Sequence, residues 1–75
     1  MGKLRVLSGE AVCAILRGAG FIEVRRRGSH IVMQRIAPAG TITVPVPDHA
    51  EVRIGTLQSI IRQSGLPRRL FETEP

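Results

Sequence analysis

Tryptophan and tyrosine are missing from this sequence altogether, and Phe21 and Phe71 are its only aromatic residues. Stacking on nucleobases needs exposed aromatic faces. Both phenylalanines sit among apolar neighbours that favour burial, so stacking is excluded as the main source of affinity for a nucleic acid. Cysteine is nearly missing too. Cys13 alone makes no internal disulfide, and with His30 and His49 as the only histidines a four-ligand zinc site lacks donors of these types. Acids are few and dispersed: Glu10, Glu23, Asp48, Glu51, Glu72 and Glu74 form no DxD or ExxE pair of the kind that serves two-metal hydrolysis. No metal or other cofactor is therefore expected. No apolar run approaches the roughly 18 residues of a spanning helix. The opening MGKLRVLSGE has neither a signal-peptide core nor the Ser or Thr that a myristoylation motif needs at residue 6. A soluble cytoplasmic protein without membrane contact is expected.

What the chain has in excess is arginine. Eleven Lys and Arg stand against six Asp and Glu, a formal net charge of +5, and every cation except Lys3 is an arginine. That balance favours a polyanionic partner, and the forked guanidinium suits phosphate better than the point charge of lysine. Composition by itself leaves RNA, DNA, an acidic protein and an anionic membrane surface open. At 75 residues the chain supports a single domain over 1–75 with one small core, because domains of this size bury only about 60% of their unfolded surface. A separate catalytic domain has no room. The densest cationic stretch is RRRGSH, residues 25 to 30. It is either a hairpin turn that happens to be basic or a phosphate platform with a proton-transfer group at its edge.

Periodicity gives the plan around that stretch. Ser8 caps a first helix whose apolar residues Val12, Ile15, Leu16 and Ala19 recur at i, i+3, i+4 and i+7, with Glu10 in its first turn and Gly20 as a left-handed stop. Cys13 beside that stripe reads as a small core residue. FIEVRR alternates and favours strand, Arg27-Gly28 is a tight turn, and SHIVMQRI is a second strand ended by APAG. TITVPV is a third, with Ile42, Val44 and Val46 inward and prolines that suit an edge or a strand end. A last helix opens at Gly55 and Thr56, carries Leu57, Ile60, Ile61 and Ser64 on one face, and closes at Gly65 and Pro67. PRRLFE adds a turn that docks Leu70 and Phe71. Residues 1–5 and 72–75 are expected to fray. The fold class is thus α+β, a two-layer α-β-β-β-α arrangement with two helices on one face of a three-stranded antiparallel sheet, the order of the double-stranded RNA-binding domain.

In that plan Ile31 and Met33 point under the helices, which turns His30, Val32 and Gln34 to the open face beside Thr41 and Thr43. The opposite register would bury His30 and Gln34 at about 1–3 kcal/mol each if unsatisfied. His30 is therefore expected in solvent reach beside the arginine turn. The stretches GAGFIEVRRRGSHIVMQR, TITVPVPDH and IGTLQSIIRQSGL, in this order, resemble the HicA family of bacterial toxins over roughly residues 6 to 71. The resemblance implies a small RNA endonuclease, an mRNA interferase of a toxin-antitoxin module, on a double-stranded RNA-binding-like fold. It implies that His30 is the catalytic residue, with Gly28 and Ser29 as motif neighbours, and it matches Pro47, Asp48 and His49 to a Pro-x-His element and Gly55, Thr56 and Leu57 to a helix start. Two departures stand out. Met33 occupies a position often aromatic in the family, which removes a stacking side chain, and the two prolines of VPVPDH bear on the aim of His49.

The chemistry follows independently of the name. RNA carries its own nucleophile, the 2′-hydroxyl, so cleavage needs a group to move a proton and cations to hold the phosphate as charge builds. Histidine, titrating ordinarily at about 6.5, suits both directions of transfer. His30 is expected as general acid or base, Arg26 and Arg27, with Arg25 beside them, as phosphate holders, and Ser29 as a hydrogen-bond donor or turn former. The expected products are a 2′,3′-cyclic phosphate and a 5′-hydroxyl. His49 is a possible secondary site residue, while Arg53, Arg62, Arg68 and Arg69 read as solvated helix face, with the far end of an RNA groove as the alternative.

Each assignment has a plainer alternative: a surface histidine, a solvated hairpin, ordinary Gly-Ser turn chemistry. A non-catalytic double-stranded RNA-binding module, reading shape and backbone, needs basic charge but no particular histidine. A basic protein-interaction domain needs neither. The family resemblance further implies a HicB-type antitoxin, expected to cover the His30 face and offer carboxylates to the arginines. With few aromatics, phosphate contacts should dominate RNA binding and affinity should fall steeply with salt.

Overall fold

The computed structural model describes residues 2–73. Its elements are α1 (Gly9–Gly18), β1 (Ile22–Arg27), β2 (His30–Ala37), β3 (Gly40–Pro47) and α2 (Ile54–Ser64), followed by a 3-10 turn over Arg68–Phe71. The three strands form one antiparallel sheet in the order β1-β2-β3, and the helices lie on one of its faces. The α-β-β-β-α order and the two-layer build are those the periodicity predicts.

Local chemistry explains where the elements start and stop. The Ser8 hydroxyl accepts from the Ala11 amide at 3.1 Å, filling one of the donors that an α-helix leaves open at its start. α2 ends on Gly65, whose left-handed backbone (φ 71°, ψ 10°) directs its amide back to the Arg62 carbonyl. Ser64, fully buried, is satisfied twice: its hydroxyl donates to the Ile61 carbonyl (2.9 Å) and accepts from the Leu66 amide (3.1 Å). Between β1 and β2 the loop has only two residues, and Gly28 at φ 56° supplies the positive φ that so short a hairpin demands.

The core joins Val12, Cys13 and Leu16 of α1 to Ile31 and Met33 of β2, Val44 and Val46 of β3, and Leu57 and Ile60 of α2, closed by Phe21 and Phe71. Cys13 is completely buried, and burial raises its thiol pKa above the ordinary value. β1 contributes no buried residue. Its one irregularity is a bulge at Val24: Glu23 pairs with Met33, but Arg25 already pairs with Val32. β3 is an edge strand, as its prolines suggested. Pro45 and Pro47 are two residues apart and share the parity whose backbone nitrogens face away from β2, so pairing with Val32 and His30 continues through them.

Two expectations are corrected. Val32, placed on the open face by alternation, is there but only 9% exposed, with Arg25 and Pro45 as its cross-strand neighbours. Leu70 does not dock: it stays 40% exposed while Phe71 is buried. The described ends are paired with each other. Arg5 donates to the Phe71 carbonyl and Thr73 to the Lys3 carbonyl, both at 2.8 Å, around a lone antiparallel bridge between Leu4 and Glu72. The buried Phe71 ring holds one of those segments in place. Met1, Glu74 and Pro75 lie outside the described residues.

Candidate functional site

The hairpin from β1 to β2 sets the site. His30 is the first residue of β2, exposed, with Arg27 opposite it on β1 and Pro47 opposite it on β3. Side chains in directly opposed pairs share a face. Arg27 and His30 therefore stand together on the open face, and Arg25, paired with Val32, stands beside them. Arg26 pairs with Ile31 and is turned to the helix side. The bulge decides this. Strict alternation from Glu23 would have put Arg26 on the open face and its two neighbours behind the sheet.

Behind the sheet, Arg26 holds three carboxylates. Its Nη2 donates to Glu10 Oε2 at 2.9 Å, its Nη1 to Asp48 Oδ2 at 3.1 Å, and its Nε to Glu23 Oε2 at 3.1 Å. One guanidinium thus ties α1, β1 and the loop after β3 together. The charge-assisted bonds to Arg26 and its positive charge lower the Glu10 pKa below the ordinary carboxylate value, and the carboxylates in turn raise that of Arg26. Arg26, expected among the phosphate holders, is thus engaged by three carboxylates.

A depressed carboxylate pKa in the folded state stabilises above the unfolded value and loses that contribution as pH falls through the folded one. Arg26→Ala should therefore be less stable than the wild type at neutral pH, because it also leaves Glu10, Glu23 and Asp48 clustered with only Arg17, 3.7 Å from Glu23, to offset them. The gap between the two proteins should close on acidification through the carboxylate range. Thermal melts followed by circular dichroism over that range check this, and a gap independent of pH would refute the ion-pair account.

The loop after β3 is anchored at successive residues. The Asp48 amide donates to the Ser29 carbonyl at 2.6 Å, and the His49 carbonyl accepts from the Gly9 amide at 2.9 Å. Gly9 itself is buried, and a Cβ there would run into the Pro47 carbonyl oxygen and sit 3.0 Å from the Asp48 Cα. Its role is steric, since the backbones of α1 and of the loop touch.

Along the β3 edge, between the strand and α2, lies a cleft of about 360 Å³. His30 and His49 both line it, with Pro45 and Pro47 from β3. From the α2 side come Arg53, Thr56, Ser59 and Gln63. Ligand sites span about 300–1,000 Å³, so the cleft is at the small end of that range. The structure thus brings together His30 and His49, which sequence reading had linked only loosely, and adds Arg53, just before α2, and Thr56, Ser59 and Gln63 of α2, none of which it had placed in the site. Arg53 had been read as solvated face. The signal was present: Thr56, Ser59 and Gln63 recur at i, i+3 and i+7, a polar stripe directly beside the apolar one.

Among the described residues, no helix is long and apolar enough to cross a membrane. No curated protein matches the sequence. The family model described as HicA toxin of bacterial toxin-antitoxin matches residues 9–66, from the start of α1 through α2, and includes the arginine turn, both histidines and the cleft. The chain belongs to this family, the HicA toxins of bacterial toxin-antitoxin systems, and has an antitoxin as its implied partner.

Proposed function

We propose that this toxin is a metal-independent endoribonuclease that cleaves mRNA in the cytoplasm and so halts translation, with His30 as general acid or base. The observation that carries the reading is the company His30 keeps: an exposed imidazole between a cleft and two open-face arginines, Arg25 and Arg27. Phosphate contact falls to Arg25 and Arg27, while Arg26 holds the scaffold behind them. Gly28 and Ser29 shape the turn, and the Ser29 carbonyl receives the Asp48 amide. Because the 2′-hydroxyl is the nucleophile, the protein has only to move protons and hold charge. A HicB-type antitoxin covering this face with carboxylates would block the substrate by both shape and charge.

The test is incubation of the purified protein with end-labelled RNA in EDTA. The expected result is strand scission that leaves a 2′,3′-cyclic phosphate and a 5′-hydroxyl, the latter directly accepting phosphate from polynucleotide kinase. RNA binding that weakens with salt but never leads to scission would favour the inert RNA-binding module instead. Neither binding nor scission would favour a basic protein-interaction domain.

A further inference from the structure

The cleft holds two imidazoles, and the cleavage proposed above has two protons to move. His30 enters the cleft from the start of β2 and His49 from the loop after β3, and both side chains are exposed. The backbone on either side of the His49 side chain is fixed by contacts from different elements. Asp48 is bound to the β1-β2 turn through its amide and to Arg26 of β1 through its carboxylate, and the His49 carbonyl is bound to the start of α1. Anchoring of this density holds a side chain at a set position relative to the turn that carries His30. Among the described residues, Arg53 is the one other charged side chain lining the cleft, and the neighbouring Asp48 carboxylate is taken up by Arg26.

We propose that His49 is the second proton-transfer residue of this site, working opposite His30 on one phosphodiester. The inference rests on the endoribonuclease reading. In the step, one neutral imidazole takes the 2′-hydroxyl proton as the 2′-oxygen bonds to phosphorus. The phosphorus bond to the 5′-oxygen breaks, and the other residue, as imidazolium, gives its proton to that leaving oxygen. The products are the cyclic phosphate and a 5′-hydroxyl, and the two histidines end with their protonation states exchanged. Arg53, on the α2 wall, faces the charge that builds on the phosphate oxygens.

The experiment compares the wild type, His30→Ala, His49→Ala and His49→Gln on ordinary RNA and on RNA with a sulfur in place of the bridging 5′-oxygen at the scissile position. A thiolate leaves without a proton, so the general acid becomes dispensable. Both alanine variants are expected to bind RNA but to cleave the ordinary substrate about 10²- to 10⁴-fold more slowly. His49→Gln, which keeps polarity without a titrating proton, should be equally slow. The bell-shaped pH profile of the wild type should lose one limb in His49→Ala, and one of the two alanine variants, not both, should recover on the sulfur substrate. A wild-type rate or an intact bell in His49→Ala overturns the proposal, and so does recovery of both variants or of neither. A wild type that cleaves neither substrate overturns the endoribonuclease reading and this inference with it.

Discussion

His30→Ala is expected to lower strand scission by about 10²- to 10⁴-fold, the usual worth of one acid-base group, while leaving RNA affinity close to that of the wild type. The two effects separate because of where the residue stands. His30 is exposed at the first position of β2 and outside the buried core, so alanine there removes no packing and leaves the sheet register intact. The charges proposed to hold RNA, Arg25 and Arg27, are on other backbone positions and remain. A filter-binding or anisotropy titration run beside a cleavage time course reads both quantities from the same samples. Loss of binding in proportion to loss of scission would make His30 a binding residue and remove its chemical role. In cells, the same variant should be produced without arresting growth.

Gly9→Ala should be the most damaging small substitution in the chain. Alanine is ordinarily the better helix former by about 0.5–1 kcal/mol, so helix propensity predicts a gain. The contact with the loop predicts the reverse. The added methyl meets backbone atoms of Pro47 and Asp48, which no rotamer change relieves, and overpacking of this kind costs about 1–3 kcal/mol. Relief requires α1 and the loop to part, which breaks the Gly9 to His49 bond and shifts the cleft wall. Stability and scission should therefore fall together. Gly18→Ala is the matched control. It lies at the other end of the same helix, with nothing within 4 Å of an added Cβ, and should be neutral or slightly stabilising. Urea unfolding of the two variants and the wild type measures the difference, and a Gly9→Ala protein as stable as Gly18→Ala would refute the close-approach account.

These two residues also mark how far the sequence could be read. His30 and its outward direction follow from alternation in β2, because burying two polar groups in so small a core is costly. The helices follow from stripes at i, i+3, i+4 and i+7. What alternation cannot foresee is an extra residue: the bulge at Val24 exchanges the faces of Arg25, Arg26 and Arg27, turning Arg26 alone of the three to the helix side. Nor does spacing announce that Arg26 will meet Glu10 and Asp48, which are 16 and 22 residues away. Gly9 looked like an unremarkable helix opener, since its constraint comes from a loop far along the chain. The cleft was hidden for a related reason. It is formed between β3 and a polar stripe of α2, and a stripe of Thr, Ser and Gln reads as plain solvated surface until a strand is known to run beside it.

The two prolines of β3 bear on how this molecule avoids sticking to itself. A three-stranded sheet has two open margins, and each offers unpaired backbone groups to a passing strand. Along β3, Pro45 and Pro47 withhold the donors that such a strand would need. β1 has no proline, and its protection is Arg25, Arg26 and Arg27. Arg26 is already balanced by its carboxylates, but two copies meeting there would still crowd the four guanidinium groups of Arg25 and Arg27, so self-association is opposed by repulsion rather than by missing donors. The two barriers differ in selectivity: the first turns away any strand, whereas the second turns away a copy but not a chain rich in acids.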